Sequence, residues 1–100
     1  MAEYKLTKKA VQDLSNIWIF TKRRWSEEQA DSYYKLLVAG FGRILKNPVL
    51  LGRSYSEVLE GLRGYKVGRH LLFYIIHTDG DILIVRILHE SMDIPNRFHQ

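Results

Sequence analysis

Apolar positions change period twice along this chain. Glu3-Tyr4-Lys5-Leu6 alternates and predicts a short edge strand. From Lys8 to Arg24 the period becomes helical: Ala10, Leu14, Ile17, Trp18 and Thr21, with Val11 beside them, form one core-facing stripe. Thr7 stands where a cap for that helix belongs. Ile19 and Phe20 fall off the stripe, and Phe20 is expected to pack under the following loop. Trp25 is expected to close the hairpin tip as a packing cap. Ser26-Glu27-Glu28-Gln29 then has the form of a capping box. The second helix runs to about Lys46 on a stripe of Ala30, Tyr33, Tyr34, Leu37, Val38, Phe41, Ile44 and Leu45. Gly40 and Gly42 inside it each cost roughly 1 kcal/mol relative to Ala, and Gly40 is expected to allow close packing against the first helix. The short link between the helices makes them an antiparallel hairpin. Asn47-Pro48 stops the second helix. Residues 49–60 are aperiodic and read as a surface loop with one helical turn at residues 55–59.

The period returns to two over residues 62–89. Two runs of Ile, Val, Leu and aromatics flank Asp79-Gly80, a strong hairpin signal, since both central residues of a type I′ turn need positive φ. Arg63–Val67 supplies a further strand, with Gly68 at a bend or bulge. With Asp79 and Gly80 as the loop, Ile75 faces Ile84, Phe73 faces Arg86 and His70 faces His89. One sheet face then carries Leu71, Phe73, Ile75, Ile82, Ile84, Arg86 and Leu88. The other carries His70, Leu72, Tyr74, Ile76, Leu83, Val85, Ile87 and His89. Both faces are mostly apolar. Helices of the same chain can cover one, and an apolar remainder on the other invites a partner. The tail from Glu90 contains Pro95, which argues against a long helix. The expected fold class is α+β, in the order β-α-α-β-β-β. A single domain, 1–100, packs the helical hairpin on one face of a small, mostly antiparallel twisted sheet.

Composition narrows the picture modestly. A hydrophobic fraction of 46% over 100 residues is enough for one small core. The absence of cysteine excludes a disulfide framework and thiolate chemistry and fits a reducing compartment. No apolar stretch approaches the ~18 residues of a membrane span, and the first residues do not read as a secretory signal, so a cytoplasmic location is expected. The net charge of +4 suits an acidic partner, whether nucleic acid or an acidic protein segment.

Taken together, the order of motifs resembles a known family. A short strand and a helical hairpin lead to Glu60-Gly61-Leu62-Arg63, Tyr65-Lys66-Val67-Gly68-Arg69-His70, Phe73-Tyr74 and Ile84-Val85-Arg86-Ile87-Leu88-His89. This looks like the RelE/ParE toxin superfamily. The Gly-Leu-Arg, Tyr-x-Val-Gly-Arg and Val-Arg-x-Leu-His runs, with a following Met92-Asp93, favour the ParE branch. The likeness covers Tyr4 to about Arg97. It implies the toxin of a bacterial type II toxin–antitoxin pair, held in a hetero-oligomer by a ParD-like antitoxin. That antitoxin would be a ribbon-helix-helix protein with a flexible C-terminal segment, and DNA would be contacted through the complex alone. It implies DNA gyrase as target, no cofactor and no metal. Residues expected to meet antitoxin or target are Arg63, Tyr65, Arg69, Phe73, Arg86, Leu88, Arg97 and Phe98.

RelE-branch relatives instead cleave mRNA on the ribosome, and that alternative has its own candidates. A ribonuclease needs a base, a group to stabilise the phosphorane and an acid. Arg63, Arg69, Arg86 and His89 are available, with His70, Glu57 and Glu60 behind them. The expected register sends Arg86 and His89 to opposite faces. His89 is followed by Glu90 where RelE-branch enzymes tend to have tyrosine, and the loop before Arg63 holds Arg53 but no lysine cluster. A non-toxic, peptide-binding relic of the fold is the third reading. Arg63 and Arg69 have a structural alternative in pairing with Glu57, Glu60 or Glu90. Arg86, a guanidinium amid Leu, Ile and Phe, must be either paired or functional. His70 and His89 read as a mutually satisfied pair at the sheet end, since two opposed ligands are not a zinc set.

Overall fold

The computed structural model describes residues 1–98. Its elements are β1 (Tyr4–Leu6), α1 (Lys8–Arg24), α2 (Glu27–Lys46), α3 (Pro48–Leu51), β2 (Arg53–Ser54), β3 (Arg63–Val67), β4 (His70–Ile76), β5 (Ile82–His89) and α4 (Ile94–Phe98). The sheet order is β1-β5-β4-β3-β2; β1 runs parallel to β5 and the other pairs are antiparallel. This is the α+β arrangement expected, enlarged by three short elements: α3, β2 and α4.

Capping chemistry sets where the helices begin. The Thr7 hydroxyl accepts the Ala10 N–H at 3.1 Å and donates to the Val85 carbonyl at 2.8 Å, so one side chain both starts α1 and pins it to β5. The Ser26 hydroxyl accepts the Gln29 N–H at 3.1 Å, and Glu27 and Glu28 lie at the positive end of α2. Leu14, Leu37, Phe41 and Ile44 from the helices meet Val67, Leu72, Tyr74, Ile82, Ile84 and Ile87 in the main core. Gly40 permits this approach, but to the sheet and not to the first helix. A Cβ there would lie 2.8 Å from Leu72 Cδ1 and 2.9 Å from Val67 Cγ2.

The hairpin turn differs from the expected one. His77 N–H donates to the Asp81 carbonyl and Gly80 N–H to the His77 carbonyl, both at 2.9 Å. The loop therefore has three residues, with Gly80 at φ +92° and no described non-glycine residue at positive φ. A three-residue loop ending in a left-handed glycine satisfies the strand twist as well as a type I′ turn does. Its extra residue shifts the register: Tyr74 pairs with Ile84 and Ile75 with Leu83. A bulge across from the Phe73/Tyr74 step then restores the expected pairs, Phe73 with Arg86 and His70 with His89. As a result Ile82 and Ile84 face the helices, not the opposite side to which an unbroken alternation assigns them.

The second sheet face is not left open. Residues 55–62 fold back across it in hydrogen-bonded turns, with the Tyr55 N–H donating to the Leu62 carbonyl at 2.8 Å. α4 closes the rest. Tyr55, Leu62, Phe73 and Leu88 form a second buried cluster with Val58, Ile94 and Phe98 against it. Phe73 and Leu88 are buried there, edge-on contacts joining Phe73 to Tyr55 and Phe98 at 5.1 and 5.2 Å between ring centres. The expected apolar remainder on this face is therefore filled by the chain itself.

Candidate partner-binding groove

The open apolar surface lies elsewhere, where β5 outruns β1. β1 ends with Leu6 opposite Ile84, so residues 86–89 have β4 on one side and no described strand on the other. Between that free edge and the helical hairpin runs a groove of about 1020 Å³. Phe20, Trp25 and Leu36 line its helical wall and are 67%, 63% and 44% exposed. Met92 lines it from the tail. Phe20 does not pack under the loop, and Trp25 does not cap the hairpin core; both were expected to be covered. Trp25 instead carries the Arg24 guanidinium 4.9 Å from its ring centre.

Polar groups hold the floor of the groove. Asp13 takes Arg86 in a two-pronged pair, Nε to Oδ2 at 2.8 Å and Nη2 to Oδ1 at 3.0 Å, and accepts the Ile87 N–H at 3.0 Å. Both side chains are largely covered. The hydrogen bond to Asp13 pushes the guanidinium pKa above its ordinary value. Arg86 Nη1 also donates to the Arg97 carbonyl at 3.3 Å. Of the two readings open for Arg86, paired or in contact with a partner, the structure shows the first: it is an internal ion pair that borders the groove.

At the far end of β5, Tyr33 of α2 receives the Arg69 N–H at 3.0 Å and meets His70 Nδ1 at 2.6 Å. Burial raises the phenol's pKa. Burial, reinforced by His89, lowers the His70 pKa to about 4. His70 and His89 stand edge to face, 5.2 Å between ring centres, as the register predicts. Glu90 pairs with Lys66 at 3.0 Å and Arg69 at 3.4 Å. Those bonds, Lys66's foremost, hold its carboxyl below the usual range. Among the described residues no cluster of three or more His, Asp or Glu side chains could hold a metal ion.

The other expected site residues separate by location. Arg69, Leu88, His89 and Arg97 border the groove with Arg86. Phe73 is interior and Phe98 packs on it. Arg63 is a clamp: its guanidinium donates to the Pro48 carbonyl at 3.2 Å, the Val49 carbonyl at 2.7 Å, and the Gly52 carbonyl, fixing α3 against β3. Tyr65 receives the Arg43 Nε–H at 3.3 Å on the helix side of the sheet. Sequence reasoning passed over Asp13, Tyr33, Leu36 and Phe20 as groove residues. Phe20 alone gave a signal, by falling off the α1 stripe.

No helix among the described residues is long and apolar enough to cross a membrane. Residues 4–94 match the family described as "ParE toxin of type II toxin-antitoxin system, parDE". The chain is 37% identical over 93 residues to "Toxin ParE1" of Mycobacterium tuberculosis, covering 93% of this chain and 94% of that one. It is 33% identical to "Toxin ParE1" of Caulobacter vibrioides with the same coverage, and 32% identical to "Toxin ParE" of Escherichia coli, covering 97% and 93%. A solved structure titled "Chromosomal ParDE TA system from P. aeruginosa" shares the fold at a TM-score of 0.73 and 19% identity, covering 89% of this chain and 95% of that one. The helical hairpin, the sheet and these matches together establish that the chain belongs to the ParE toxin family of type II toxin–antitoxin systems.

Proposed function

We propose that this chain arrests growth by docking on DNA gyrase, and that a ParD-like antitoxin neutralises it by laying a flexible segment into the groove beside β5. The observation that carries the antitoxin half is the coincidence of an unpaired strand edge with exposed Phe20, Trp25 and Leu36. The Ile87 N–H is held by Asp13 and the His89 carbonyl by the Met92 N–H, so the aromatic wall, which offers apolar area to an extended segment's side chains, is the main attraction, with the remaining main-chain groups of the edge as hydrogen-bonding partners. A basic surplus of +4 favours an acidic segment.

Docking is favoured over phosphodiester chemistry by the occupation of the candidate groups. Arg63 is spent on α3 carbonyls, Arg86 on Asp13 and Arg69 on Glu90. His70, with a pKa near 4, is a weak base at neutral pH. Family membership directs the reading to gyrase.

Two experiments test it. Purified protein is incubated with gyrase and plasmid DNA; loss of supercoiling or a trapped cleavage complex is expected, and unchanged supercoiling without trapped complex rejects gyrase as target. Expression without any antitoxin is expected to stop growth, with co-expression of a ribbon-helix-helix protein from an adjacent reading frame restoring it. Normal growth in the first case rejects the toxin reading. Defined cuts within codons, seen by primer extension after induction, would replace gyrase with mRNA.

A further inference from the structure

α3 is held more firmly than its own packing explains. At four residues it is too short to hold itself together, and none of its residues is buried. Its backbone is nevertheless fixed from below. The Arg63 guanidinium donates to the carbonyls of Pro48, Val49 and Gly52, and the Tyr74 hydroxyl donates to that of Pro48 as well. Tyr74 is wholly buried. Gly52 closes the turn over that hydroxyl, where a Cβ would clash with it. What this anchoring presents is apolar. Val49, Leu50 and Leu51 are 66%, 82% and 36% exposed and belong to neither core cluster. Three consecutive exposed aliphatic residues on a fixed backbone are a liability unless a partner covers them.

The charge beside this run is of one sign. No Asp or Glu occurs between Asp31 and Glu57, while Arg43 and Lys46 precede α3 and Arg53 follows it. All three cations are exposed. Arg43 lies 5.9 Å from the Tyr65 ring centre and Arg53 4.0 Å from that of Tyr55, and none of the three is in an ion pair among the described residues. A second copy of the chain is a poor occupant, because a two-fold contact would set these cations against their own counterparts. A protein surface with an apolar pocket and an acidic rim is the complementary one. We infer that α3, with Arg43, Lys46 and Arg53 beside it, is the face this chain docks on gyrase, with Leu50 as its apolar anchor. The occupant's identity rests on the gyrase reading; the chemistry required of it rests on the exposed run and its cations. β2, joined to α3 through Gly52, is the edge strand opposite the groove, three strand spacings or roughly 14 Å from β5. Effects on target and on antitoxin can therefore be measured apart.

The test compares the full chain with Leu50→Glu, Val49→Glu and Lys46→Glu, and with Val11→Glu as a control. Val11 is 54% exposed and lies outside the groove lining. All four side chains face solvent, so native circular dichroism is expected of each variant. Binding to immobilised gyrase holoenzyme and inhibition of plasmid supercoiling are read beside antitoxin affinity. Leu50→Glu and Val49→Glu should each lose about tenfold or more in gyrase binding and in inhibition. Lys46→Glu should lose severalfold at low salt, the difference shrinking as salt rises. Val11→Glu should match the unsubstituted chain, and antitoxin affinity should be the same throughout. Full gyrase binding by both α3 variants, an equal loss in Val11→Glu, or a loss confined to antitoxin affinity would overturn the assignment. An unaffected Lys46→Glu would overturn the acidic rim. Dimerisation of the unsubstituted chain, or its binding to vesicles of anionic lipid, abolished by Leu50→Glu while gyrase binding persists, would give the surface to that occupant instead. Should the unsubstituted chain fail to bind gyrase, the gyrase reading and the occupant named here fall together; should it bind and the α3 variants bind equally, this surface alone is overturned and the gyrase reading stands.

Discussion

Asp13 stands where a neighbouring strand would stand: its carboxylate binds the Arg86 guanidinium at 2.8 and 3.0 Å and the Ile87 backbone N–H at 3.0 Å. One helical side chain thereby satisfies both a covered cation and a main-chain donor on the free side of β5. Removing it strands two partners in a largely covered place. Asp13→Ala is expected to destabilise the protein by about 3 kcal/mol, read as a lower urea midpoint. Arg86→Ala should cost a similar amount, and the double variant less than the sum, because the pair is one interaction counted twice.

Gly40 and Gly42 sit two residues apart in α2 and respond oppositely to the same methyl. A Cβ at Gly40 meets Leu72 and Val67 at 2.8 and 2.9 Å, whereas one at Gly42 meets nothing within 4 Å. Gly40→Ala is expected to destabilise by about 1–3 kcal/mol through overpacking. Gly42→Ala is expected to stabilise by up to about 1 kcal/mol through helix propensity. Thermal melts of the two variants check the sign of each.

Tyr33 ties α2 to the β3–β4 turn through Arg69 N–H and His70. Tyr33→Phe leaves both without that oxygen and should cost about 1–2 kcal/mol. Gly68, at φ +59° and with Tyr33 only 2.8 Å from where a Cβ would lie, should tolerate alanine still less well. Chemical denaturation orders the two variants.

Acid should loosen the fold through His70. Folded, the ring stays neutral until about pH 4; unfolded, it takes a proton near its ordinary 6.5. The unfolded chain thus binds more protons between those values, and stability falls as pH drops from about 6.5 towards 4. His70→Gln should flatten that part of the stability–pH curve relative to the unsubstituted protein.

The groove wall is expected to decide antitoxin affinity. Phe20→Glu or Leu36→Glu places a charge on the apolar wall without disturbing the core, since both side chains are exposed. Each should weaken antitoxin binding at least tenfold, about 1.4 kcal/mol, by calorimetry. Arg63→Gln should instead lower stability, because that guanidinium ties down α3.

Helix positions were legible because the stripes are long and their caps unambiguous: Thr7 and Ser26 do what their types predict. The strands were legible too, as was the His70–His89 pairing. The hairpin loop was not, because Asp79-Gly80 suits both a two-residue turn and the end of a three-residue one, and the bulge that corrects the difference leaves no compositional mark. α3 and β2 were missed because each is too short to establish a period; tertiary bonds from Arg63 hold α3. The open apolar surface was misplaced for a related reason. Alternation along β4 and β5 shows that two faces are apolar, but not that residues 55–62 and α4 return to cover one. The groove depends on where β1 stops, and nothing in Tyr4-Lys5-Leu6 says that β5 continues past it.

That shortfall of β1 has a cost for the solitary chain. Asp13 holds the Ile87 N–H, but the rest of that edge, next to uncovered aromatic rings, can be covered by the same stretch of a second copy. Overproduced without its companion, the protein should turn cloudy or oligomerise as concentration rises, and a surplus of unaccompanied molecules would then limit its own potency.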